Sequence, residues 1–164
     1  MKIFKASIDN FSAFASLFVI GLSVSLFLGL FNSGNQLSII GISIGTILNF
    51  FVLLLVLTFF LLRTTSYTVS ESAIIINSLL LPYIINRNEI ASIAIVSKAD
   101  MSGVYRTFGN GGLFGYTGYY RNAKFGTMRW FATQRKNYVL IEKTDGKKIV
   151  ITPDEPENFI NALG

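Results

Sequence analysis

A chain of 164 residues has room for one modest domain and an anchor, not for two full soluble domains. It is 51% hydrophobic and only 14% charged, against a usual charged share of about 25%. It contains no Cys and no His, which excludes disulfide frameworks, thiolate chemistry, histidine metal sites and the commonest general acid–base.

The apolar excess lies near the N-terminus, where no charged residue occurs in the 53 positions between Asp9 and Arg63. Residues 11–31 and 38–62 are each long enough to cross a bilayer, for which about 20 helical residues suffice. The polar, uncharged Asn32-Ser33-Gly34-Asn35-Gln36 between them suits a short reversal, so residues 1–63 read as a transmembrane hairpin. A cleaved signal peptide fits the first segment less well, because its apolar run is too long and no small-x-small site follows it. Lys2 and Lys5 precede the first helix, Arg63 closes the second, and the connection has no Lys or Arg. The positive-inside rule then puts both termini on the cytoplasmic side of the cell's inner membrane.

Each helix carries small or polar residues four apart: Gly21, Ser25 and Gly29 in the first, Gly41, Gly45 and Asn49 in the second. An antiparallel alignment faces Gly29 with Gly41, Ser25 with Gly45 and Gly21 with Asn49, a seam of close approach in which a carbonyl or hydroxyl of the first helix satisfies Asn49. Coincidence and an oligomer contact through Asn49 are the alternatives. An ion pathway is disfavoured because neither helix holds a charged group.

After Arg63 the pattern changes to short β-branched and aromatic runs separated by turn residues. Strands are predicted at 64–69, 73–78, 83–86 and 90–97 as a meander, then at 126–133, 138–142 and 147–152. Asp145-Gly146 marks a tight hairpin between the last two. Residues 152–163 read as a closing helix, with Thr152 as cap, Pro153 in the first turn and Glu155 at the capping-box position. Pro156 argues for a start nearer Glu155. Phe159, Ile160 and Leu163 form its apolar patch. About seven antiparallel strands and one helix outline a pleckstrin-homology-like barrel over residues 64–164.

The motifs extend that outline. Arg106-Thr107-Phe108-Gly109-Asn110-Gly111-Gly112-Leu113-Phe114-Gly115-Tyr116, Phe131-Ala132-Thr133, and Ile149-Val150-Ile151-Thr152-Pro153-Asp154-Glu155-Pro156 with Phe159 resemble the bacterial PH-like domain family of small membrane proteins. The resemblance covers roughly 64–163 and implies one or two membrane helices joined to this fold. It implies a role less firmly. Leu79-Leu80-Leu81-Pro82 departs from the polar turn expected there, and reads either as core or as a corner that dips into the bilayer.

Residues 103–126 hold seven of the chain's 14 Gly, interleaved with aromatics and cations. The candidate binding residues are Arg106, Phe108, Gly111, Gly112, Phe114, Tyr116, Arg121 and Lys124. The reading favoured for the segment as a whole is a long inter-strand loop folded onto the barrel, with a ligand- or partner-binding loop as the alternative. The segment lacks Gly-x-x-x-x-Gly-Lys-Ser/Thr and any dinucleotide fingerprint. Asp154, Glu155 and Glu157 suit either a helix N-terminus, where the dipole favours acids, or a carboxylate site.

Ten Lys/Arg and three Asp/Glu lie from Lys98 to Lys148, so the net charge of +5 is concentrated in the domain. The function expected is a non-catalytic, membrane-anchored binding or scaffolding module whose basic aromatic face engages a protein partner, assisted by anionic lipid headgroups. The alternative is structural self-association. No cofactor, metal, nucleic-acid partner or small-molecule substrate is indicated.

Overall fold

The computed structural model describes residues 1–32 and 39–163, without the side chains of 30–32 and 39–43. The expected reversal at Ser33-Gly34-Asn35-Gln36 and the surroundings of Gly41 lie outside these described residues.

Two helices, α1 (Asn10–Asn32) and α2 (Ile39–Leu61), have 23 residues each, about 35 Å at 1.5 Å per residue. Both contain spans long and apolar enough to cross a membrane. Phe14, Leu17 and Phe18 on one, and Phe50, Leu54 and Leu55 on the other, face away from protein. Asp9 caps α1 by accepting the Ser12 N–H at 2.8 Å.

Between the helices the amide of Asn49 donates to the Ser23 carbonyl at 2.8 Å, and both residues are buried. The structure thus sets Ser23, not Gly21, against Asn49. Gly45 lies beside them, with Leu48 and Val52, in a groove completed by Val19, Leu22 and Leu26. Ser25 is exposed, and a Cβ at Gly21 or Gly29 would meet nothing within 4 Å. An amide in hydrocarbon must find a partner, and that requirement outranks the alignment of small residues.

The remaining described residues form ten strands. β1 (Lys2–Lys5), β2 (Thr64–Val69), β3 (Ala73–Ser78) and β4 (Tyr83–Asn86) make one sheet in that order. β5 (Ile90–Val96), β6 (Tyr105–Gly111), β7 (Tyr116–Asn122), β8 (Gly126–Ala132), β9 (Tyr138–Lys143) and β10 (Lys148–Ile151) make the second, ordered β5-β9-β10-β8-β7-β6. Helix α3 (Pro156–Asn161) follows.

This corrects the expected seven-stranded antiparallel barrel: among the described residues there are two open sheets, and β10 runs parallel to β8. The meander breaks after β4, where a 3-10 turn at Arg87–Glu89 redirects the chain and β5 pairs with β9 instead. The extra hairpin β6–β7 widens the second sheet on its other side. The end strands of the two sheets therefore never meet.

β1 was not foreseen. It precedes the membrane helices yet pairs antiparallel with β2, which follows them. Both helices are thus one excursion from a single sheet edge.

The sheets enclose a core of Phe4, Tyr67, Ile74, Ile76, Ile85, Ile141, Ile149 and Ile151, closed by Phe159 from α3. Phe159 packs edge-on against Phe4 at 5.2 Å and against Tyr67 at 6.3 Å between ring centres. The Tyr67 hydroxyl donates to the Phe131 carbonyl at 2.7 Å and accepts the Thr152 N–H at 3.1 Å. Complete burial pushes that hydroxyl up to about 12, so it stays a neutral donor. Thr152 is buried, its hydroxyl accepting the Thr133 N–H, and so is not the helix cap. Glu155 occupies the cap position without a side-chain capping bond, and Pro156 opens the helix. The opposite end is tied by Arg87, which donates to the Leu163 and Ala162 carbonyls.

Candidate functional site

The Gly-rich segment is not a loop but the hairpin β6–β7. Gly109 and Gly118 are cross-strand partners with φ of 108° and 131°, and a Cβ on either would overlap backbone atoms of the facing strand. Only glycine fits both positions. A register shift between Arg106 and Phe108 sends these residues to opposite faces, Arg106 opposite Tyr120 and Phe108 opposite Tyr119.

The hairpin tip is organised by Asn110, whose amide donates to the Leu113 and Gly115 carbonyls while its oxygen accepts the Leu113 N–H at 2.9 Å. The tip docks on the membrane helices. Ser12 Oγ donates to the Gly112 carbonyl at 2.7 Å, and the Phe114 N–H donates to Ser16 Oγ at 2.8 Å. The Phe114 ring meets Phe60 of α2 edge-on at 5.3 Å. Asp9, besides capping α1, accepts the Tyr116 hydroxyl at 3.0 Å and the Arg135 N–H at 3.2 Å. Ser7 donates through its N–H and hydroxyl to Asp154. The domain is thereby bonded to the start of α1 on two sides.

On the face of the second sheet away from the first lies a cavity of about 860 Å³, within the size range of ligand sites. Its floor is Tyr116, Tyr120, Trp130 and Tyr138, and the segment carrying Lys98, Met101 and Val104 forms one wall. Tyr120 and Trp130 stack at 4.4 Å, with Tyr138 tilted 5.6 Å from Trp130. The Tyr120 hydroxyl is bonded to the Asn110 carbonyl at 2.6 Å. Trp130 Nε1 is buried with no hydrogen-bond partner.

Three cations line this cavity: Lys98, Arg106 and Arg135. Among the described residues none of them forms a salt bridge, and no carboxylate lines the space. The Arg135 guanidinium lies over the rings of Tyr116 at 4.8 Å and Phe11 at 5.2 Å. Burial pushes the Tyr120 hydroxyl up to about 12, against the opposing pull of Arg106 and Arg135. Burial raises Tyr138, and burial with the nearby Asp9 carboxylate raises Tyr116. The phenols are therefore neutral, and the charged side chains that line the cavity are all cationic.

Of the eight residues named from sequence, the structure brings Arg106, Gly111 and Tyr116 to the cavity. Gly112 and Phe114 instead touch the membrane helices. Phe108 and Arg121 are exposed, and Lys124 is ion-paired with Asp100, which holds that carboxyl below its usual range. Lys98, Arg135, Trp130 and Tyr138 were missed. Arg135 follows β8 and Lys98 follows β5, so no local pattern joins them to the hairpin. The acidic cluster is dispersed into structural roles: Asp154 holds Ser7, and Glu155 accepts the Asn158 amide.

Comparison with known proteins adds one match. Residues 65–164, spanning nearly all of β2 to the end of α3, match the family described as "Bacterial PH domain". No curated protein and no solved structure matches the chain.

Proposed function

The chain belongs to the bacterial PH domain family, whose domains are non-catalytic binding modules, and we propose that this one uses its aromatic, cationic cavity to hold an acidic segment of a protein partner at the membrane. The observation that carries the proposal is the cavity itself: four aromatic rings, two Arg and a Lys that form no salt bridge among the described residues, and an indole N–H without a hydrogen-bond partner among them. Tyr, Trp and Arg are the residues enriched at protein-binding hot spots. A carboxylate entering the cavity would meet three cationic side chains that form no salt bridge among the described residues, and an apolar neighbour in the partner would meet the rings. Headgroups of acidic lipids assist through exposed cations such as Arg121.

Trp130 is the only Trp in the chain, so its emission reports on the cavity directly. Full-length protein in nanodiscs, titrated with a short peptide of alternating Glu and Phe, is expected to show a saturable change in Trp130 emission that weakens with salt. Arg106→Ala is expected to weaken binding about 10- to 100-fold, the loss of about 1.5–3 kcal/mol for a charge-assisted hydrogen bond. A response of equal size to the Gln-for-Glu peptide, or an unaffected Arg106 variant, would refute the assignment.

The proposed topology has both termini in the cytoplasm. Its support is the placement of Lys2, Lys5 and Arg63 at the same end of the helices, together with the pairing of β1 to β2, which needs both helix ends on one side. Reporter fusions at Asn35 and Gly164 test it. The expected outcome is an external signal at Asn35 only, and an external signal at Gly164 would reverse the orientation.

A further inference from the structure

We propose that the Leu79-Leu80-Leu81 corner is a wedge inserted among the lipids of the leaflet that faces the domain. These residues connect β3 to β4 and are not core. They are 52%, 57% and 66% exposed, as open as Leu54, Leu55 and Leu57 on the membrane helix α2, which are 48%, 52% and 50% exposed. Three adjacent leucines so open are costly in water, and single scattered ones are not.

Their position supplies the occupant. The Leu80 N–H donates to the carbonyl of Leu61, the last residue of α2, at 3.1 Å. The corner therefore sits at the depth at which the apolar span ends, and its leucines continue the lipid-facing surface of that helix. Ser78 fixes the turn: its hydroxyl donates to the Leu81 carbonyl at 2.6 Å and accepts the Leu81 N–H at 3.0 Å. The leucines are thus held outward by a built turn. Arg63 lies two residues beyond Leu61, its guanidinium over the Phe60 ring at 4.6 Å, and Tyr83 follows the corner. Aromatic and basic residues flanking an apolar projection are the usual arrangement at the headgroup level. The wedge and the Phe114 contact with Phe60 sit on one end of α2, so together they fix how the domain leans on the bilayer.

The chain has no Cys, so one introduced thiol is a unique label. Leu80→Cys and, as a control on the exposed face of β6, Phe108→Cys are made in the full-length chain, labelled with an environment-sensitive fluorophore and reconstituted into phosphatidylcholine–phosphatidylglycerol vesicles. The label at position 80 is expected to show blue-shifted emission, quenching by lipids carrying a spin label high on the acyl chain, and loss of quenching by aqueous iodide. The label at 108 is expected to show the reverse. Iodide quenching at 80 equal to that at 108 would overturn the wedge. So would protection at 80 from both quenchers, which would mean that protein covers the corner. Unchanged thermal unfolding of Leu80→Cys confirms that the label reads a folded chain.

Discussion

Phe159→Ala is expected to lower the stability of the domain by about 3–5 kcal/mol, the range for truncating a fully buried aromatic. Phe159 has no exposed surface and is the only fully buried side chain that α3 contributes to the core. Its ring meets Phe4 of β1 and Tyr67 of β2 together, so its loss leaves a void touching three elements that local rearrangement cannot fill. Phe108→Ala, which truncates a ring that is 75% exposed, is the internal control and is expected within about 0.5 kcal/mol of the parent. Urea unfolding of the full-length chain in mild detergent, followed by near-ultraviolet circular dichroism, makes the comparison. Similar losses for the two variants would mean that α3 does not close the core.

Gly118→Val is expected to open the β6–β7 hairpin. At φ of 131° a branched side chain is strained on its own account, by about 1–3 kcal/mol. Its Cβ would also overlap the Phe108 carbonyl oxygen and the Gly109 Cα, both backbone atoms that cannot yield without separating the strands. The consequence reaches the tip, where the Phe114 N–H bond to Ser16 and the Gly112 carbonyl bond to Ser12 depend on hairpin geometry. Hydrogen exchange on the embedded protein reads this locally. The amides of β6 and β7 are expected to exchange at least about tenfold faster, one decade for each 1.4 kcal/mol of lost opening energy. The amides of β2 and β3 are expected to stay unchanged. Uniform acceleration of both sheets would mean that the hairpin is part of one cooperative unit.

The parts of this chain that were legible in its sequence are those where one local pattern decides the structure. An uncharged run as long as the one between Asp9 and Arg63 admits few readings, and the strands at 64–69, 73–78 and, one residue short at its end, 138–142 announce themselves by β-branched and aromatic content. β6 and β7 were hidden because their glycines erase the alternation that marks a strand, and their need for glycine arises only from the strand opposite. β1 was hidden because Lys2 and Lys5 speak for membrane orientation while Phe4, between them, is a core residue. For the same reason a fragment beginning at Thr64 would lack a sheet edge and one of the rings around Phe159. Of the site, Arg106 and Tyr116 lay in a visible motif. Arg135 and Lys98 reach the same cavity through strand order, which no spacing in the sequence encodes.

In the topology proposed above, the pairing of β1 with β2 makes biosynthesis a single coupled event. Residues 6–63 emerge between the two strands, so β1 waits unpaired until both helices have been threaded and the chain has returned. Closing so long a loop in solution carries an entropic cost that grows only slowly with length, and a correctly threaded pair of antiparallel helices brings the ends together beforehand. A chain that threads only one helix leaves β1 and β2 on opposite sides of the bilayer, with the place of Phe4 vacant and Phe159 without one of its ring partners. In that topology the finished sheet is a record of correct insertion, because a mis-threaded molecule lacks both the β1–β2 pair and the Phe4 ring in the core.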